Sequence, residues 1–147
     1  MELKEYFLNI AEQVKLKSKD KNTQIGAVIV GEDNEILSTG YNSFPRGLDD
    51  SKEERQERPE KYFWFEHAER NAIYNAARVG TPTKDSSIYI TSGVPCMDCS
   101  RGIINSGIKK VYCKRVCTTT NKDMWDEHQK RSIDMLHECG VEVIFYE

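Results

Sequence analysis

The sequence predicts an α/β fold: one mixed sheet, antiparallel at its first hairpin and mostly parallel after it, with helices on both faces. Three observations carry that expectation. Apolar, branched runs pair into a hairpin over residues 24–41, helix-periodic and strand-like segments then alternate, and no repeat or linker divides the chain. With 147 residues the chain fits one domain over 1–147, long enough to bury about two thirds of its unfolded surface.

Leu3, Tyr6, Phe7, Ile10, Ala11 and Val14 recur at helical spacing, which predicts an amphipathic helix over residues 2–17 with one core face. Residues 24–30, rich in branched side chains, read as a buried strand. Within it Gly26 and Ala27 are small, which suits either close approach by a ligand ring or tight packing under a helix. A turn at 31–35 leads to a second strand at 36–41, and the loop 42–47, shaped by Pro45 and Gly47, follows it in a position that suits binding. Residues 49–61 mix charges of both signs, the pattern of a solvated helix or a mobile lid. Tyr62, Phe63, Trp64 and Phe65 then offer three roles: stacking on a base, covering the core, or meeting another subunit.

A helix is predicted over residues 66–79, packing closely through Ala68, Ala72, Ala76 and Val79 and ended by Gly80. A third strand spans 86–92. Pro95 opens another helix that ends at Ser106 and Gly107, and the backbone amides of its first turn point toward the thiols of Cys96 and Cys99. Residues 110–113 form a fourth strand. Trp125, His128, Ser132, Met135, Leu136 and Cys139 mark a last amphipathic helix before a fifth strand at 141–145. Cys139 and Cys113 are expected in the core, Cys117 has no assignment, and His128 and His137 lack a second ligand at suitable spacing.

Composition narrows the function classes. A hydrophobic share of 38% and a charged share of 31% describe a soluble globular chain, and no apolar run approaches the roughly 20 residues that span a bilayer. The charged start, Met1 to Glu5, lacks the apolar core of a secretion signal, so the five cysteines are expected as thiols in a cytoplasmic setting. Metal binding then outranks disulfide formation. A net charge of −3 argues against a large basic face for polymeric nucleic acid and favours a small substrate.

The chemistry sits in two short motifs. His67-Ala68-Glu69 and Pro95-Cys96-Met97-Asp98-Cys99 each stand at a predicted strand-to-helix crossing, and such crossings gather at one edge of an open sheet. One imidazole and two thiolates match the softness of zinc and leave its fourth tetrahedral position open to water, whose pKa falls from about 15.7 to near neutrality. Glu69, two residues from His67, is awkward as a fourth ligand and well placed to carry protons from that water to a substrate nitrogen and a leaving amine. A closed structural zinc site, completed by Cys113 or Cys117, is the competing arrangement. Together the motifs form H-x-E with a later P-C-x-x-C, the signature of zinc deaminases.

Beyond these motifs the chain resembles the deoxycytidylate deaminases of the cytidine deaminase superfamily. Residues 24–30, 40–47, 67–73 and 95–99 carry the resemblance, which extends over nearly the whole chain. It implies a three-layer α/β/α fold around a five-stranded mixed sheet, one catalytic Zn2+ per chain, and hydrolysis of dCMP to dUMP and ammonia for thymidylate synthesis. It also implies homo-oligomers, often hexamers, with dCTP as activator, dTTP as inhibitor and Mg2+ accompanying an allosteric nucleotide. Carried over by position, His67, Cys96 and Cys99 hold zinc, Glu69 shuttles protons and Asn42 reads the sugar. The expected substrate contacts are Asn42, Arg46, Gly26, Ala27, Ala68 and Arg115, with Arg70 and Lys114 as further phosphate candidates. Some relatives carry an accessory zinc site on cysteines near the end of the first helix; residues 15–24 contain none. Two other functions share the zinc motif: deamination of another base, such as guanine, cytosine or tRNA adenosine, and nucleotide binding around a structural zinc.

Overall fold

The computed structural model describes residues 1–115 and 122–146, and five strands form one sheet in the order β2-β1-β3-β4-β5. β1 (Gly26–Val30) pairs antiparallel with β2 (Ile36–Tyr41) and with β3 (Ser87–Ile90). β3, β4 (Lys110–Cys113) and β5 (Glu142–Phe145) run parallel. The C-terminal ends of β2, β3, β4 and β5 therefore share one edge with the start of β1. The mixed five-stranded sheet is the one expected.

Every residue of β1 is buried, because both faces of the sheet are covered there. Successive side chains alternate between those faces. Val28 and Val30 join Phe7 and Ala11 of α1 (Leu3–Val14), while Ala27 and Ile29 join Ala68 and Ala72 of α3 (Ala68–Val79). Ile103 of α4 (Met97–Asn105) and Leu136 of α5 (Lys122–Glu138) extend the second cluster, which completes three layers. Among the described residues no helix is long and apolar enough to cross a membrane.

α3 lies very close to the edge strand β2. A Cβ on Gly40 would come within 2.6 Å of the Ala68 carbonyl oxygen and 2.8 Å of Ala72 Cα. Polar bonds hold the same approach: Ser38 Oγ donates to Ala72 O at 2.7 Å, and the Asn71 and Asn75 amides donate to Tyr41 O and Thr39 O at 2.8 Å each. Gly40→Ala must push α3 outward, and with it the residues that follow His67. A loss of about 1–3 kcal/mol is expected, read as a lower denaturant midpoint at unchanged slope.

Several expectations change here. α1 ends at Val14, and residues 15–17 tighten into a 3-10 turn. Gly26 faces α1, where an added Cβ would lie 2.8 Å from Lys15 N and closer still to Ala11 O; strand alternation turns it toward the helix, and packing there requires its small size. Val79 is 73% exposed and leaves the alanine face. Cys139 is exposed beyond the last turn of α5, whereas Cys113 is buried in the core as expected. His128 and His137 stay on the exposed side of α5. Cys117 and the Trp125 side chain lie outside the described residues.

The charged stretch 49–61 is not simply solvated. It leads through a 3-10 turn (Glu53–Gln56) into the short α2 (Lys61–Trp64), and Gln56 and Lys61 are both buried. Lys61 Nζ meets Asp20 Oδ2 at 2.8 Å. Burial pushes the Asp20 carboxyl up, but the bonds from Lys61 and the Asn22 and Thr23 amides outweigh it and hold the group below its ordinary range. A depressed carboxyl stabilises the fold above its unfolded pKa near 3.9 and loses that contribution as pH falls through the folded value. Acid unfolding below about pH 4 should therefore flatten in Asp20→Asn, as followed by circular dichroism. Among the four aromatics, Phe65 packs on Phe44 with ring centres 4.2 Å apart, while Tyr62 and Phe63 are 63% and 79% exposed.

Candidate metal centre and active site

Two helix starts meet at the shared sheet edge. Cys96 is the N-cap of α4, and its sulfur accepts the Cys99 amide at 3.4 Å, where the orphan N–H groups and the helix dipole favour a thiolate. His67 is the N-cap of α3 in extended conformation, φ −77° and ψ 152°, so the chain turns just as the ring leaves it. Its Nδ1 lies 3.5 Å from Cys96 Sγ and 3.3 Å from Cys99 Sγ.

A tetrahedral zinc with Zn–S near 2.3 Å and Zn–N near 2.05 Å requires an N-to-S separation of about 3.6 Å. The observed distances fit that requirement closely, and all three donor atoms lie within 4.8 Å of one another. Cys99 is buried, whereas His67 and Cys96 face outward, so the triad has a closed back and an open front. Among the described residues no fourth histidine, cysteine or carboxylate joins this cluster, and Cys113 sits in the core instead. The donor set suits zinc with one position free. The bond from Cys99, with His67, brings Cys96 down to about 4, while the same bond and burial push Cys99 up.

Glu69 follows in the first turn of α3, 5% exposed. Burial pushes its carboxyl up, opposed by its own backbone amide and by His67. An upshifted carboxyl accepts a proton more readily, which is what a proton carrier needs.

The expected substrate residues are spread over this edge. Asn42, 7% exposed, follows β2; its Oδ1 accepts the Ile25 amide at 2.9 Å and its Nδ2 donates to Thr23 O at 2.8 Å. Ala27 and Ala68 meet in the core between β1 and α3. Arg115 stands just beyond β4 with its guanidinium 4.3 Å from the Phe145 ring centre, and Lys114 lies 3.9 Å from Glu12. Arg46 donates to Asn75 Oδ1 at 2.7 Å and lines a cavity of about 520 Å3 with Lys19, Tyr41, Tyr74 and Arg78. None of His67, Glu69, Cys96 or Cys99 lines that cavity, although Glu66, next to His67, does.

Arg70 is held by protein carboxylates, 2.7 Å from Glu66 and 3.6 Å from Asp98, and so ties the starts of α3 and α4 together beside the thiols. The spacing of Glu66 and Arg70 was a visible signal for the first contact. Nothing local announced Asp98, or the pairing of Asp20 with Lys61.

A mixed three-layer α/β fold with an open His-Cys-Cys zinc site beside a buried glutamate defines a class, the zinc-dependent deaminase fold. The chain belongs to the cytidine and deoxycytidylate deaminase family, whose zinc-binding region matches residues 1–115. It is 45% identical over 111 residues to a probable deoxycytidylate deaminase of Caenorhabditis elegans, covering 72% of this chain and 54% of that one. It is 38% identical over 116 residues to the human deoxycytidylate deaminase, covering 76% and 64% respectively. The chain thus spans between about half and two thirds of the length of these curated relatives. Among solved structures, the dCMP deaminase of cyanophage S-TIM5 in complex with dCMP and dUMP superposes with a TM-score of 0.74 at 30% identity, covering 97% of both chains.

Proposed function

We propose that this chain is a dCMP deaminase, one domain over 1–147 that hydrolyses dCMP to dUMP and ammonia and so supplies dUMP for thymidylate synthesis. One observation carries the proposal: the open triad of His67, Cys96 and Cys99 stands beside buried Glu69 on a chain that matches, nearly end to end, a deaminase solved with dCMP and dUMP.

His67 Nδ1 and the sulfurs of Cys96 and Cys99 would hold zinc, which when bound supplies an acidified water as nucleophile at the amino-bearing carbon. Glu69 takes the proton that this water gives up, places it on ring nitrogen N3 and then hands a proton to the departing amine. Atoms balance as dCMP plus water giving dUMP plus ammonia. The low exposure of Glu69 keeps bulk water from competing for that proton. In this reading Asn42 meets the sugar, Ala27 and Ala68 set the room beside the base, and the sequence resemblance supports Arg115, just beyond β4, as the phosphate contact.

The sequence resemblance supports dCTP as activator and dTTP as inhibitor with Mg2+, and the cavity lined by Lys19, Arg46, Arg78 and two tyrosines offers cations and ring faces for such a nucleotide. A cytoplasmic homo-oligomer, a hexamer in many relatives, follows from the same resemblance, and exposed Tyr62 and Phe63 suit a subunit contact.

The test sets dCMP, dCTP, deoxycytidine and cytosine side by side, with and without dCTP or dTTP at low substrate. dCMP should be turned over with the highest kcat/KM, and the effectors should shift its KM in opposite directions. Preference for the free nucleoside contradicts a phosphate-reading pocket, and retention of tRNA at 0.2 M salt with deamination of its adenosine would replace the substrate altogether.

A further inference from the structure

Next to Asn42 a buried ion pair joins two stretches far apart in sequence. The side chains of Lys61 and Asp20 are only 7% and 5% exposed. Charges persist in such a place when they are paired and hydrogen-bonded, and here the Asp20 carboxylate faces Lys61 and accepts four bonds. Asp20 Oδ1 accepts the amides of Asn22 at 2.8 Å and Thr23 at 3.1 Å, while Oδ2 accepts Lys61 Nζ at 2.8 Å and Asn42 Nδ2 at 3.5 Å. Gln56 clips the same two stretches, donating to Lys19 O at 2.9 Å and accepting the Lys21 amide at 3.3 Å. One stretch runs on into His67. The other runs on into β1.

Asn42 lies between them, and its orientation is fixed by chemistry. With Oδ1 on the Ile25 amide and Nδ2 on Thr23 O and Asp20, a flipped amide would set N–H against N–H and oxygen against two oxygens. Both Nδ2 hydrogens are occupied, whereas Oδ1 has two acceptor sites and uses one. Its remaining capacity suits a hydroxyl donor and not a phosphate or a carbonyl. dCMP carries two neutral donors: the amino group, which must lie at the metal centre, and the 3′-hydroxyl.

We propose that Asp20 and Lys61 are a positioning pair for substrate selection: they lock the Asn42 carboxamide so that Oδ1 is presented to the sugar 3′-hydroxyl. This rests on the assignment of dCMP as substrate. Neither residue touches substrate, and the pair acts through Asn42.

The experiment compares dCMP with 2′,3′-dideoxycytidine monophosphate, which lacks that hydroxyl, on the zinc-loaded full chain. Variants are Lys61→Met, Lys61→Arg and the double variant Asp20→Asn with Lys61→Met; the double variant leaves no bare buried charge and so guards against misfolding. Wild type should favour dCMP by about tenfold or more in kcat/KM, as expected for a site built around one hydroxyl. In the double variant the preference should fall below about threefold through a higher KM for dCMP, at unchanged zinc content, and Lys61→Arg should restore part of it. A folded double variant that keeps the full preference, or loses activity equally on both substrates, overturns the proposal. So does a wild type that turns over both nucleotides equally well. If the wild type deaminates neither, the substrate assignment has failed; hydrogen exchange at the Ile25 amide then decides, with faster exchange in the double variant supporting the positioning role and unchanged exchange refuting it.

Discussion

Glu69→Gln should keep zinc at the wild-type stoichiometry and lose about 10²- to 10⁴-fold in kcat, the range assigned to general acid–base catalysis. The substitution conserves volume in a position only 5% exposed, so the packing around the first turn of α3 is retained. An amide, however, neither accepts the proton of an attacking water nor returns it to N3 or to the leaving amine. Burial already pushes the Glu69 carboxyl up, which means its charged form is disfavoured there. Replacing it by a neutral group should leave the melting temperature equal or higher while activity falls. Metal content, melting temperature and single-turnover rate on dCMP measure the three parts separately. Turnover within threefold of wild type would remove Glu69 from the proton path.

Loss of the metal should be as severe. Cys99 is fully buried and closes the back of the triad, so Cys99→Ala leaves two donors, His67 and Cys96, on the open side. Two donors do not make the site that zinc prefers. Zinc content should fall well below one equivalent and dCMP turnover should drop to background. In the wild type, a strong chelator should do the same and added Zn2+ should restore activity. Because the donors lie at the starts of α3 and α4, binding also ties two helices that Arg70 links through Asp98. Free zinc at 100 times its Kd should therefore add about 2.7 kcal/mol of stability to the chelated chain. Protons compete for the same imidazole and thiolates, so zinc affinity should fall as pH is lowered. Full activity in the chelated protein would exclude the metal from the reaction.

Much of this centre was legible because its signals are local. The spacing C-x-x-C puts two thiols on one helical turn, Pro95 marks where that turn begins, and His67 stands two residues from Glu69. The five strands were also visible, since each is a short branched run bounded by turn residues. What stayed hidden depends on contacts between distant segments. Gly26 and Ala27 look alike in sequence, yet alternation sends one toward α1 and the other toward α3. Lys61 reads as one charge in a polar run, and only the fold brings it to Asp20, 41 residues away. Cys139 was placed in the core because free cysteine is commonly buried, but α5 ends one residue earlier and leaves it outside. Val79 continues the spacing of Ala68, Ala72 and Ala76 in the sequence, yet it stands on the last residue of α3 and is exposed.

Whether the open triad and Glu69 deaminate dCMP is decided by quantifying ammonia and dUMP from zinc-loaded chain and dCMP. Equal amounts of ammonia and dUMP, formed catalytically and abolished by either metal removal or Glu69→Gln, are the expected result. A chain that holds one zinc, is folded, and releases no ammonia from dCMP with or without dCTP would contradict it.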